Sequence, residues 1–119
     1  MMNEKVSQDV AFRLLSHVYR RALLECLDRH DTPVSLADAA ADVARACNET
    51  PAPDVSDEEI ERIYLSLHHS HVPRLADRGA VSYDRDRKVV TLTERGERII
   101  TVHDRVSPDV PLEVTDAGR

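Results

Sequence analysis

The sequence predicts a mainly α fold with one small β-hairpin (α+β), and three observations carry that prediction. Apolar residues recur at helical spacing through most of the chain, as in "VAFRLLSHVYRRALLECLDRH" from Val10 to His30. A full S-x-x-E capping box, Ser56-Asp57-Glu58-Glu59, announces a helix start in mid-chain. Two short β-prone runs follow Gly79, "AVSY" and "KVVTL", separated by the polar tetrad Asp84-Arg85-Asp86-Arg87. At 119 residues there is room for one domain with one core. We expect a flexible N-terminus over residues 1–8, the domain over 9–103, and a flexible acidic tail over 104–119. Phe12, Tyr19, Tyr64 and Tyr83 are the only aromatic residues, so the core must be built from Leu, Val, Ile and Ala.

Each element follows from local signals. Ser16 stands where a cap would divide the first apolar stretch, predicting a helix of about 9–15 and a second of about 17–29. In the second, Val18, Ala22, Leu23, Cys26 and Leu27 keep i, i+3, i+4 spacing and form the expected buried stripe. "DTPV" breaks the chain, and Ser35 with Asp38 three positions on opens an alanine-rich helix. Leu36, Ala40, Val43 and Cys47 share one of its sides, and small side chains there allow close packing. "NETPAPDV", with two prolines and no periodicity, is a surface loop. The helix opened by Ser56 has acidic residues in its first turn, which suits the helix dipole, and runs to about Arg78 with Gly79 as its stop. Ala80–Tyr83 and Lys88–Leu92 are the hairpin strands, and "TERGERIITVHDRV" returns to helix.

Composition excludes several classes of function. No apolar run approaches the ~20 residues needed to span a bilayer, and no signal-type segment opens the chain, so a cytoplasmic protein without membrane contact is expected. Cys26 and Cys47 lack C-x-x-C spacing and read as two buried thiols rather than a disulfide. With only three separated glycines there is no phosphate-cradling loop, and there is no nucleophile elbow or acid–base pair; neither an enzyme nor a cofactor is expected. The net charge of −6 comes from 13 Asp and 9 Glu against 14 Arg and 2 Lys. It is unevenly spread: residues 62–98 hold eight basic and five acidic side chains, leaving eight against seventeen elsewhere. An anionic partner should meet the second half of the domain.

Helix, helix, helix, helix, hairpin, helix is, in a chain this short, the layout of a winged helix-turn-helix. "LLSHVYRRALLECL" resembles the opening of ArsR-type and MarR-type regulators, and "LHHSHVPRLADRGAVSYD" followed by "KVVTLTERG" resembles their recognition helix running into the wing. More closely, residues 10–103 resemble a family of small haloarchaeal winged-helix domains whose molecular function is largely unassigned. The surplus of Asp, with Arg in place of nearly all Lys, also resembles a salt-adapted surface, which would make the net charge a property of the solvent rather than of the partner.

The stretch "LHHSHVPRL" (67–75) holds three histidines and a proline. On a helical wheel Ile60, Tyr64, Leu67, His71 and Leu75 fall within about 80° of each other on the inward face. Arg62, Ser66, His69, Pro73 and Asp77 point outward, with His68 on the border. His71 therefore reads as a core histidine bonded to a backbone carbonyl. His69 reads either as a donor to phosphate or a base edge, or as a solvated surface group. Pro73 lacks an N–H and crowds the His69 carbonyl, so the helix should bend or restart there. As metal ligands only His68 and His71 lie close enough to share an ion, and His17, His30, Cys26 and Cys47 add no matching spacing; no metal is expected.

These features together lead to a DNA-binding transcriptional regulator, with helix 57–78 for recognition and hairpin 80–92 as the wing. The candidate double-stranded DNA contacts are Arg62, Ser66, His69, Arg74, Arg78, Arg85, Arg87 and Lys88. A homodimer matches palindromic recognition, with the first helix and Ile99, Ile100 and Val102 as its surface, assisted by Leu65 and Val72. The alternative is a winged-helix module for protein interaction or dimerisation without DNA binding. Asp84 and Asp86 between the wing arginines, and the acidic turn Asp57–Glu61, favour it.

Overall fold

The computed structural model describes residues 7–47 and 55–106. It is mainly α with a small antiparallel sheet, as the sequence predicts. The loop expected at 48–55 lies almost wholly outside the described residues, as do 1–6 of the N-terminus expected over 1–8 and 107–119 of the tail expected over 104–119. Residues 104–106 end the last helix, and Ser7 and Gln8 begin the first. No helix among the described residues is long and apolar enough to cross a membrane.

Helix α1 (Gln8–Leu14) is capped by Ser7, whose Oγ accepts from the Val10 N–H at 3.1 Å. Helix α2 (Val18–His30) is capped by His17, not by Ser16: the His17 Nδ1 accepts from the Tyr19 N–H at 3.0 Å. The Ser16 hydroxyl turns back and donates to the Arg13 carbonyl at the end of α1. The expected stripe of α2 is buried at Ala22, Leu23, Cys26 and Leu27, but Val18 is exposed, because the chain enters α2 at the surface. Leu24 and Arg20 are buried as well, on a second side of α2.

Ser35 caps α3 (Leu36–Cys47), its Oγ accepting from Asp38 N–H at 3.1 Å. Ala39, Ala40, Val43 and Ala44 have essentially no exposure, and these small side chains let α3 lie against both α2 and α4 (Asp57–Ser66). One strand was not expected from the sequence. Val34 and Ser35 form β1, and the "DTPV" break delivers it to the sheet. Strands β2 (Val81–Asp84) and β3 (Val89–Leu92) pair with Tyr83 opposite Val90, and β1 adds on β3's other edge with Val34 opposite Val90. The order is therefore β1-β3-β2, a three-stranded sheet where two strands were expected. The Leu36 N–H donating to the Lys88 carbonyl at 2.8 Å locks the start of α3 to the hairpin.

Helix α6 (Glu94–Val106) packs on α1 and α2 and closes the core. Its fit to the hairpin is set by Gly96, where a Cβ would run into the Ala80 carbonyl and the Leu92 side chain. Thr93 pins the same junction, its hydroxyl reaching the Gly79 and Ala80 carbonyls at 2.6 and 2.9 Å. The core is almost wholly aliphatic: Leu23, Leu24, Leu27, Leu36, Leu67, Leu75 and Ile99 are its largest fully buried side chains. Each contributes on the order of 1.5–3 kcal/mol over leaving it exposed. Ile99 and Val72 have no exposure and so cannot form a dimer surface; both belong to the core.

Candidate nucleic-acid interface

The segment expected as one rod from Asp57 to Arg78 is three pieces in line. Ser56 caps α4, its Oγ accepting from the Glu59 N–H at 3.1 Å. A π-helical turn, Leu67–His71, follows, and α5 (Val72–Asp77) completes the run. Pro73 explains the turn. In a regular helix its missing N–H would leave the His69 carbonyl unbonded and its ring would strike that carbonyl. Widening the preceding turn relieves both, and the Val72 N–H bonds to the Leu67 carbonyl in the i→i+5 pattern. The bend expected at Pro73 is thus taken up one turn earlier. The widening also puts Val72 beside His71 on the inner face, which a regular wheel places at the edge. At the far end the Gly79 N–H bonds the Ala76 carbonyl and the Ala80 N–H bonds that of Leu75, with Gly79 at φ +77°: a Schellman stop.

The three histidines of the turn go three ways. His71 is buried with 6% exposure and His69 is exposed, as the wheel predicts. The partner of His71 differs from the expected carbonyl. Its Nδ1 accepts from Arg20 Nη1 at 3.0 Å, and its ring lies 4.2 Å from His17 and 5.7 Å, edge-on, from Tyr19. Because a guanidinium only donates, His71 must be neutral with its proton on Nε2. Burial first, then the charges of His17, Arg20 and Arg74, lower its pKa to about 4. Burial and the two neighbouring arginines Arg20 and Arg21 lower His17 in the same sense. Arg20 is itself buried, and also donates through Nε to the Leu14 carbonyl and through Nη2 to that of Arg13 at 3.2 Å. It thereby satisfies the open end of α1 while fixing the π turn from inside.

His68 faces the sheet. Its Nδ1 and the Tyr83 hydroxyl are hydrogen-bonded at 2.8 Å, and the Tyr64 ring stacks at 6.5 Å. Burial lowers its pKa, and His69, Lys88 and Arg85 act in the same direction. The Arg85 guanidinium lies 5.9 Å from the Tyr83 ring centre. The hairpin tip is shaped by Asp84, whose Oδ1 accepts from the N–H groups of Asp86 and Arg87, both at 3.1 Å. Lys88 takes φ +57° and its Nζ donates to the Arg85 carbonyl at 3.0 Å.

The candidate contacts therefore form two groups rather than one patch. His69, Arg85, Arg87 and Lys88 gather at the turn and the hairpin, although Arg87 leans to Asp84 at 4.0 Å. Arg74 and Arg78 turn toward α1, where they line a hollow of about 330 Å³ with Asp9, Val10, Arg13 and Leu14. Arg62 is exposed on α4, and Ser66 is half-buried at its end. Arg13, Arg20 and Tyr83 were not expected as neighbours of the site, because they come from elements distant in sequence.

A separate group lies between α2 and α3. Cys26 Sγ donates to Asp42 Oδ2 at 3.1 Å, and His30 Nε2 meets the same oxygen at 3.2 Å. Arg45 holds the other oxygen, Oδ1, and Arg29 stands 3.8 Å from Oδ2. Burial and the Asp42 hydrogen bond push the Cys26 thiol up to about 12. For Asp42 burial acts upward, but hydrogen bonds from Cys26, His30 and Arg45 prevail and hold its carboxyl below the ordinary value. Cys47 is a half-buried free thiol. No matching spacing was expected among these donors: the one-turn separation of Cys26 and His30 on α2 was passed over, and the approach of Asp42 from α3 has no local signal.

Residues 12–91 match the model of a domain of unknown function (DUF7344), and the chain belongs to that family. No curated protein and no solved structure matches it.

Proposed function

We propose that this chain is a winged-helix domain that binds double-stranded DNA as a transcriptional regulator. In this reading α2, α3 and the α4–π–α5 run are the three-helix core and β2–β3 is the wing. The observation that carries it is the meeting of the turn with the hairpin: exposed His69 adjoins His68, His68 is hydrogen-bonded to Tyr83 of β2, and Arg85, whose carbonyl accepts from Lys88, lies 5.9 Å from the Tyr83 ring. A helix face flanked by a basic hairpin suits a major groove, with the hairpin meeting the backbone. Arg74, Arg78 and Arg13 would extend phosphate contact along α1. The Arg-for-Lys surface is read as salt adaptation, and a homodimer would use the outer faces of α1 and α6, where Phe12 is exposed.

A second reading, a protein-interaction module of the same shape, is favoured by one observation. Asp57 and Glu58 are exposed in the first turn of α4 and Glu61 follows, at the end a recognition helix presents to DNA. An anisotropy titration on mixed-sequence duplex DNA at graded salt separates the two. DNA binding predicts saturable affinity whose logarithm falls by about 0.9 per neutralised phosphate per decade of salt. Arg85→Ala with Arg87→Ala should weaken it and reduce that slope by about one for each of these arginines that meets a phosphate. No binding at low salt would discard the DNA reading.

A further inference from the structure

We infer that Cys26, His30 and Asp42 form a binding site for a borderline divalent cation of the zinc type, clamping α2 to α3. The ligand atoms, one sulfur, one imidazole nitrogen and one carboxylate oxygen, all lie within 4.8 Å of one another. Cys26 and His30 stand one helical turn apart on α2, so both project from one face, and Asp42 meets them from α3. The convergence is on a single atom. Asp42 Oδ2 faces Sγ at 3.1 Å and Nε2 at 3.2 Å, so both groups crowd one oxygen. An ion seated among the three takes over all of those contacts at once.

The surroundings are built for a ligand carboxylate. Arg45 binds Oδ1 and leaves Oδ2 directed at Cys26 and His30, which is how an outer partner orients a metal-bound carboxylate. Arg29 lies farther off and is well exposed, free to swing into solvent when the ion arrives. Asp42, His30 and Arg45 also border a hollow with Thr32, Pro33 and Asp38, which leaves the fourth coordination position open to water. The donor set selects the ion: sulfur and imidazole suit zinc, cobalt or nickel, whereas calcium and magnesium require oxygen ligands. Binding releases the thiol proton to solvent, the thiolate donating an electron pair to the metal, and His30 coordinates through the lone pair of neutral Nε2.

Cobalt titration of the full-length, chelator-treated protein tests the site. The expected result is a saturable one-to-one complex with a thiolate-to-cobalt charge-transfer band and tetrahedral d–d bands, discharged by zinc. Cys26→Ser should remove the charge-transfer band and Cys47→Ser should leave it intact. His30 is half-exposed, so His30→Ala keeps the fold; it should weaken cobalt binding by at least about tenfold and abolish any zinc-induced rise in Tm. Absence of a charge-transfer band at millimolar cobalt would overturn the assignment. So would a band lost with Cys47→Ser but kept in Cys26→Ser, or zinc stabilisation that survives His30→Ala.

Discussion

Acid should loosen this fold through His71. In the folded chain its pKa falls to about 4 from the 6.5 of an unfolded histidine, because the ring is buried and its Nδ1 receives the Arg20 N–H. Between these two values the unfolded state binds the proton and the folded state does not, so stability rises with pH across that window. The contribution is complete above pH 6.5 and falls away as pH drops toward 4. A separation of about 2.5 units at 1.36 kcal/mol per unit, with half protonation of the folded state at pH 4, gives a loss of about 3 kcal/mol. His71 is nearly inaccessible, so solvent screening takes little from that figure. His17, lowered in the same sense, adds to the effect rather than opposing it. The assay is urea unfolding followed by circular dichroism at pH 7, 6, 5 and 4, for the parent and for His71→Gln, whose amide oxygen still accepts from Arg20. The stability lost on making His71→Gln at pH 7 should shrink by about 3 kcal/mol at pH 4. Parallel pH profiles for the two proteins, or an NMR titration placing His71 near 6.5, would show that this ring does not supply the acid sensitivity.

Two further perturbations probe the scaffold. Gly96→Ala forces a methyl group into the Ala80 carbonyl and Leu92, and should cost about 1–3 kcal/mol in the same unfolding assay while leaving the helical circular dichroism intact. Arg20→Met keeps the apolar stem but strands the Arg13 and Leu14 carbonyls and His71 Nδ1; a loss of about 2–4 kcal/mol is expected, with faster amide exchange in the last turn of α1 and in the π turn.

The division between local and distant causes explains which features were legible beforehand. Ser35, Ser56 and Gly79 act within a few residues of themselves, and all three mark helix ends where their chemistry predicts. His69 outward and His71 inward followed from helical geometry, and the two sides survive in the π turn that holds both residues. Ser16 misled because two polar groups adjoin at the break between α1 and α2, and the histidine ring reaches the free N–H of Tyr19.

Most of the helices, the caps at Ser35 and Ser56, the hairpin and the aliphatic make-up of the core are written in short windows of sequence, because hydrogen bonds one turn away and apolar periodicity are local properties. Packing of the whole chain was needed for the third strand, the seating of Arg20 on His71 from 51 residues away, and the meeting of Cys26 with Asp42 across 16. It also divided the arginines between the hairpin and α1. A buried polar group must find its partner wherever packing brings one, and which helix faces meet depends on the whole core rather than on any segment of it.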